Sequence, residues 1–370
     1  MKKKVLIVDD SALMRRVLSD IINLDERFHV SKVAFNGLEA YNLLVNNNEV
    51  FDAIILDINM PKMNGLEFLS ELDKKNIKAT VIIVSTIAKE GEIETIRALE
   101  LGAFDFITKP ESFYDIKSDS FKNKIIDCLV MATKLYEVSV KDITVEKPKE
   151  TKNLVSKKTV LNKPIRPIQN STTKNTKLNR LLVITCSTGG PKALQQVVPH
   201  LPDNLDCSVL IVQHMPEGFT LSLATRLNEL SRLKVKEAEH GDVLEKGVVY
   251  LAKGGSQMRL KSFRDGSSKL LVTVEEARKG LKPCADILFE SLIESDFDMI
   301  TCVVLTGMGS DGTLGIKQLN EKKNIYVISQ DEASCTVYGM PKVIAEAGLV
   351  DEIVPLNQIA DAIIKNMEVR

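Results

Sequence analysis

The sequence predicts two open α/β domains joined by a linker. Three observations carry this. Short apolar runs alternate with helix-period segments through residues 1–135, the same rhythm returns near Arg180, and the stretch between has no apolar period. Continuous apolar runs of strand length suit parallel strands buried on both faces. A chain of 370 residues also exceeds what one core comfortably serves.

In the first domain (1–135) the strand candidates are KVLIVDD (4–10), HVSKVAF, DAIILDI (52–58), VIIVST (81–86) and DFITKP (105–110). Helical segments such as SALMRRVLSDIINL and GLEAYNLLVNN separate them. Repeated strand–helix units of this kind predict a five-stranded parallel sheet. Residues 136–178 read as a flexible basic linker: between 141 and 180, eleven Lys or Arg face three acids, with three prolines. It serves either as a solubilising tether or as a contact for an acidic partner or a neighbouring domain. In the second domain (179–370), LLVITC (181–186), SVLIVQH (208–214), VVYLA (248–252), MITCVVLT (299–306) and IYVISQ (325–330) are the strand candidates. Helices are expected near 191–199, 220–230, 284–294, 312–323 and 340–347. MRLKSF and KLLVTVEE flank DGSS as an antiparallel hairpin. The expected architecture is a doubly wound, mostly parallel sheet with that hairpin as an excursion.

Composition narrows the function. The chain is 44% apolar and 27% charged with net charge −1, which gives no basis for general nucleic-acid or lipid binding. It has no apolar run of transmembrane length, and the N-terminal run is too short for a signal peptide, so a cytosolic protein is expected. Six scattered cysteines without a CxxC pair argue against structural zinc and a disulfide framework.

Ligands of open parallel sheets sit at the carboxyl ends of strands. In the first domain Asp9, Asp10, Asp57, Ser85 and Lys109 occupy such ends. Three carboxylates together repel, and a hard divalent cation such as Mg²⁺ relieves that cost. A carboxylate beside Mg²⁺ can accept a phosphoryl group, with a lysine and a hydroxyl on its oxygens. In the second domain Ser187 leaves a strand into Gly-Gly-Pro, a turn suited to a helix start. Of four histidines, His214 ends a strand, whereas His29, His200 and His240 fall at edges, turns or a helix end. Asp311 follows another strand, so the three can meet as nucleophile, base and orienting acid. The order Ser…His…Asp differs from the common hydrolase orders, and there is no GxSxG elbow. A competing reading exists, because Gly307–Gly312 matches GxGxxG and Asp331 ends the next strand, the outline of a dinucleotide site. A carboxylate at Asp311 would oppose a pyrophosphate there.

Residues 4–110, through VDDSALMRR, LDINMPKMNGLEFL and STIAKEG with ALELGAFDFITKP, resemble response-regulator receiver domains. The resemblance implies a flavodoxin-like fold with Asp57 as the phosphorylated residue. Asp9, Asp10, Asp57 and the Asn59 carbonyl would hold Mg²⁺. Ser85 and Lys109 would contact the phosphoryl group, Phe106 would be the aromatic switch, and Lys109–Pro110 would be cis.

Residues 181–356 resemble the catalytic domain of the chemotaxis protein-glutamate methylesterases, through STGGP, QHMPEGFT, SLATRLN, AEHGD, LTGMGSDG and SQDEASCTVYGMPKVIAEAGLVDEIVPL. This implies a phosphorylation-activated serine esterase that demethylates glutamate methyl esters on chemoreceptors and deamidates receptor glutamines. Ser187, His214 and Asp311 would form the triad, with Thr188 in support and the Met308 N–H in the oxyanion hole. Met340 would lie near the active-site surface. The implied partners are methyl-accepting receptors as substrate and the chemotaxis histidine kinase as phosphoryl donor, in a cytoplasmic protein recruited to receptor clusters. Ester hydrolysis would need no cofactor. A non-catalytic adaptor, or an esterase for another modified protein, are the alternative readings. The chain departs from the family pattern at Lys253 and Gln257 in AKGGSQM, at Cys284 and Ala285 in PCAD, and at Cys186 before the serine.

Overall fold

The apolar runs become strands, and those in the interior of each sheet are buried along nearly their whole length. The computed structural model describes residues 1–86, 89–110, 118–135 and 179–367, and the linker expected at 136–178 lies outside them. The first sheet holds β1 (Lys3–Val8), β2 (Phe28–Ala34), β3 (Ala53–Asp57), β4 (Val81–Ser85) and β5 (Asp105–Thr108). Their order is β2-β1-β3-β4-β5, all parallel. Every residue of β3 and β4 is buried, as a sheet covered on both faces requires. The covering helices are α1 (Ala12–Leu24), α2 (Gly37–Tyr41, continued by a π-helical turn, Asn42–Asn46), α3 (Gly65–Lys74), α4 (Lys89–Glu100) and α5 (Asp119–Ala132). Local chemistry starts them: the Ser11 hydroxyl accepts the Met14 N–H, and Asn64 and Glu67 form a reciprocal capping box ahead of α3.

The second domain contains β6 (Arg180–Cys186), α6 (Gly190–Val197), β7 (Ser208–Gln213), α7 (Phe219–Leu230), β8 (Lys234–Glu237), β9 (Val248–Leu251), β10 (Gln257–Ser262), β11 (Ser268–Thr273), α8 (Ala285–Ser291), β12 (Met299–Val304), α9 (Thr313–Lys322), β13 (Ile325–Gln330), α10 (Met340–Glu346), β14 (Glu352–Val354) and α11 (Ile359–Met367). The main sheet runs β14-β13-β12-β6-β7-β9-β8, and all its pairs are parallel. β10 and β11 pair antiparallel as a separate ribbon, which is the expected hairpin. β8, β14 and α11 were not expected.

The sheet order creates the sites. In the first domain the chain leaves β1 for β2 on one side and places β3 on the other. In the second, β6 has β7 on one side and β12 on the other. Each is a topological switch point, where a crevice opens outside the carboxyl ends. The domains also pack on each other: one buried apolar cluster includes Leu6, Ile54 and Phe68 of the first and Ile184, Phe219 and Val303 of the second.

Candidate functional site

The first crevice gathers the acids. Carboxylate oxygens of Asp9, Asp10 and Asp57 lie within 4.8 Å of one another. Lys109 Nζ donates to Asp57 Oδ2 at 2.7 Å and to Asp9 Oδ2 at 3.0 Å. Burial raises the Asp57 carboxyl above its ordinary value, and Asp9 adds to that while Lys109 pulls against it. Burial opposes the Lys109 ammonium, but Asp57 and Asp9 outweigh it and hold its pKa above the ordinary range. The converging carboxylate oxygens are the donor set of an oxygen-ligated divalent cation, so the three acids fit Mg²⁺, with the Lys109 ammonium beside them as a counter-charge. Ser85 is buried and its hydroxyl donates to the Gly91 carbonyl at 3.3 Å. Asn59 is exposed and its side chain bonds Glu94 at 3.1 Å. The cis bond expected at Lys109–Pro110 is not found: among the described residues the cis peptide is Lys282–Pro283. Trans is the ordinary X–Pro state, favoured by about 0.5–1 kcal/mol, and nothing in the lysine's two ion pairs requires the other isomer.

In the second crevice, Ser187, His214 and Asp311 leave the adjacent strands β6, β7 and β12. His214 Nε2 donates to Asp311 Oδ2 at 2.7 Å. Asp311 is buried, which alone would raise its pKa, yet the bond to His214 and the Asp286 and Ala285 N–H groups hold it down to about 2. Ser187 N–H donates to the Thr306 carbonyl at 3.0 Å, and the Gln213 side-chain amide donates to the Ser187 and His214 carbonyls at 3.0 and 3.2 Å. The Ser187 hydroxyl makes no hydrogen bond among the described residues, so the triad is joined at the His–Asp half. Such bonds often close only around substrate.

Two glycines let the backbone fit. Gly189 caps α6 at φ +78°, a left-handed conformation open to glycine. A Cβ on Gly307 would come within 2.8 Å of Ser187 Cβ. That close approach brings the Met308 loop beside the serine. Met308 is 44% exposed, and its N–H has no acceptor among the described residues. Met340 is fully buried, its thioether against Gly307, so it supports the loop from beneath rather than lying at the surface as expected. The dinucleotide reading fails on a specific contact: Asp286 Oδ1 already accepts the Gly312 and Gly315 N–H groups at 3.0 and 2.8 Å, and a carboxylate there would repel a phosphate. Asp331 instead closes its own turn through Ser334.

Thr188 is committed elsewhere than expected. Its Oγ1 donates to Asp105 Oδ2 of the first domain at 2.5 Å. Phe106 stacks on Phe219 at a centroid distance of 4.5 Å. Arg226 grips both Glu100 oxygens at 2.6 and 3.2 Å. The β5–α4 face of the first domain therefore packs on α6 and α7, against the loop that carries Ser187. Sequence reasoning missed Asp105, Gln213 and Asp286. Gln213 carried a signal, as a polar residue closing an otherwise apolar strand, and Asp286 carried one as an acid in a helix's first turn.

Three carboxylates with a lysine at one switch point and a Ser/His/Asp grouping at another fit a response regulator with a hydrolase output. Comparisons with known proteins narrow this. The family described as Response regulator receiver domain matches residues 5–119, and the one described as CheB methylesterase matches residues 182–363. A protein-glutamate methylesterase/protein-glutamine glutaminase of Syntrophomonas wolfei is 40% identical over 367 residues, spanning 98% of this chain and 99% of the relative. Its counterpart in Halalkalibacterium halodurans is 43% identical over 365 residues, spanning 98% and 97%. The crystal structure of the Thermotoga maritima CheB methylesterase catalytic domain is 37% identical, with TM-score 0.49, covering 51% of this chain and 98% of that one. The chain belongs to the protein-glutamate methylesterase/protein-glutamine glutaminase family.

Proposed function

We propose that this chain hydrolyses glutamate methyl esters on methyl-accepting chemoreceptors, releasing methanol, and deamidates receptor glutamines at the same site. The observation that carries the chemistry is the part-buried Asp311–His214 pair beside the Ser187 loop, at the switch point of the sheet. With Nε2 held by Asp311, His214 Nδ1 is left to take the Ser187 proton as Oγ attacks the ester carbonyl. The Met308 N–H, with no acceptor among the described residues, would stabilise the oxyanion. Collapse expels methanol, protonated by His214, and leaves an acyl-enzyme. Water, deprotonated by His214, then cleaves it. Glutamine follows the same course with ammonia leaving.

The receiver supplies the input. Asp57 accepts the phosphoryl group from the chemotaxis histidine kinase, with Lys109 and Ser85 on its oxygens. Asp9, Asp10, Asp57 and the Asn59 carbonyl would hold Mg²⁺, which when bound neutralises the clustered carboxylates and the phosphoryl charge. Phosphorylation then shifts the population away from the packed arrangement that buries Thr188 and holds Phe106 on Phe219. No helix among the described residues is long and apolar enough to cross a membrane. We infer from family membership that the enzyme acts in the cytoplasm at receptor clusters.

Methanol release from membranes bearing methylated receptors, with a small phosphoryl donor and Mg²⁺ added, tests the coupling. Wild type should accelerate and Asp57→Asn should keep its basal rate. Equal acceleration in both proteins would exclude Asp57 as the input. No methanol release from receptors by wild type would favour a different modified substrate or an adaptor.

A further inference from the structure

Asp311 accepts four hydrogen bonds, two on each oxygen. Oδ2 takes His214 Nε2 at 2.7 Å and the Ala285 N–H at 2.6 Å. Oδ1 takes the Asp286 N–H at 3.0 Å and the Cys284 thiol at 3.1 Å. Two of these donors are backbone and one is the imidazole itself. The thiol is therefore the one contact that a side-chain change can tune without breaking the triad. Cys284 is in turn held from behind. Its N–H donates to Gln257 Oε1 at 2.8 Å, and Gln257 Nε2 donates to the Leu281 carbonyl at 2.9 Å. Gln257 is fully buried and Cys284 is 2% exposed, so neither contact competes with water.

We propose that Cys284, locked by Gln257, is a positioning residue for the reaction: its thiol donates to Asp311 and sets how strongly that carboxylate attracts the imidazolium formed at His214. The inference rests on the Ser187–His214–Asp311 reading. Burial and the neighbouring Asp311 push the Cys284 thiol up to about 12, so it stays protonated and remains a donor through the working range. Among the described residues the other charged group facing Asp311 is Asp286, which is spent on the Gly312 and Gly315 N–H groups and is itself influenced by Lys279. A thiol is a weak donor. A hydroxyl in its place would draw more charge from Asp311, and a methyl group would draw none.

The test is kcat/KM for receptor methanol release against pH, in the full-length chain. Strengthening the donor weakens the pull on the imidazolium, so Cys284→Ser should move the acidic limb to lower pH. Cys284→Ala should move it to higher pH, each by a few tenths of a pH unit. KM should stay unchanged. Gln257→Ala frees the segment behind the thiol and should reproduce the Cys284→Ala shift, with no further movement when both are replaced. Coincident limbs in the serine and alanine variants, or rate loss without limb movement, would overturn the proposal. If Cys284→Ala fails to fold by its unfolding midpoint, the acid shift in the near-isosteric serine variant decides alone. Ser187→Ala separates the two readings: if it stays active the triad itself is wrong, whereas an inactive Ser187→Ala with immobile limbs in the Cys284 variants sinks only this inference.

Discussion

Ser187→Ala should release receptor methanol about 10⁴- to 10⁶-fold more slowly than wild type, the range seen when a serine nucleophile is removed from an intact triad. Its unfolding midpoint should barely move, because the lost hydroxyl holds no hydrogen bond among the described residues. The expectation therefore separates chemistry from folding in one variant. Asp311→Asn is different in kind. It should lose about 10⁴-fold because an amide N–H donating to Nε2 leaves His214 in the wrong tautomer, protonated on the nitrogen that must accept from Ser187, and it should also destabilise, because an amide nitrogen would then face N–H donors already aimed at the carboxylate. The pH behaviour follows from the depressed carboxyl. Asp311 sits at about 2 in the folded protein against an ordinary 3.8, so it adds stability above the ordinary carboxylate range. That contribution is lost as pH falls from near 4 toward 2. An acid unfolding series should show wild type losing its advantage over Asp311→Asn across that window. Parallel curves would mean that the bonds to Asp311 contribute nothing to folding. A Ser187→Ala protein with near-normal turnover would remove the serine mechanism altogether.

The residues proposed to carry this chemistry were legible for a physical reason. Parallel strands are buried on both faces, so their apolar runs end abruptly, and a polar residue at that edge stands out: Asp57 after Ala-Ile-Ile-Leu, Ser187 after Leu-Leu-Val-Ile-Thr-Cys, His214 after Ser-Val-Leu-Ile-Val-Gln. What the run does not encode is strand order. That β12 lies beside β6, bringing Asp311 to His214 across 97 positions, is a property of the assembled sheet. β8 and β14 escaped notice because an edge strand of three or four residues, KVKE or EIV, is too short and too polar for periodicity to register. α11 is another matter: Ile359, Ala360, Ala362, Ile363 and Met367 form a helical stripe that the sequence displays. The interdomain contacts were least legible. Asp105 opens an ordinary strand, and nothing local says that its carboxylate meets a hydroxyl 83 residues away. Thr188, one residue past the proposed nucleophile, received its supporting role from the family resemblance alone, which says nothing of this interdomain bond.

Cutting that contact should awaken the unphosphorylated enzyme. Thr188 is 7% exposed, and its hydroxyl donates to Asp105 Oδ2 across the domain interface. Asp105→Ala leaves a buried hydroxyl without an acceptor in the packed arrangement only, since in the opened one water satisfies it. Such a loss costs about 1–3 kcal/mol, which shifts the packed-to-open ratio by roughly five- to 150-fold. Basal methanol release should rise toward the phosphorylated rate by up to that factor, and phosphorylation should then add little. Asp105→Asn keeps an acceptor oxygen for Thr188 and should stay closed. Asp105 also gives the closure a pH dependence. Burial raises its carboxyl above the ordinary value, with the Thr188 hydroxyl and Phe106 N–H pulling it back. A raised carboxyl favours packing where it is protonated, below its ordinary range, and that advantage fades as pH rises through the raised value. Donor and acceptor dyes on the two domains should therefore report packing that loosens with rising pH in wild type and stays flat in Asp105→Asn. The remaining interface contacts set the ceiling on the alanine effect. The Arg226–Glu100 pair is about one-third exposed, so water screens it, while Phe106 on Phe219 is apolar and persists. An Asp105→Ala protein with the wild-type basal rate would show that the other interface contacts, these two and the shared apolar cluster among them, hold the domains closed without the Thr188 bond.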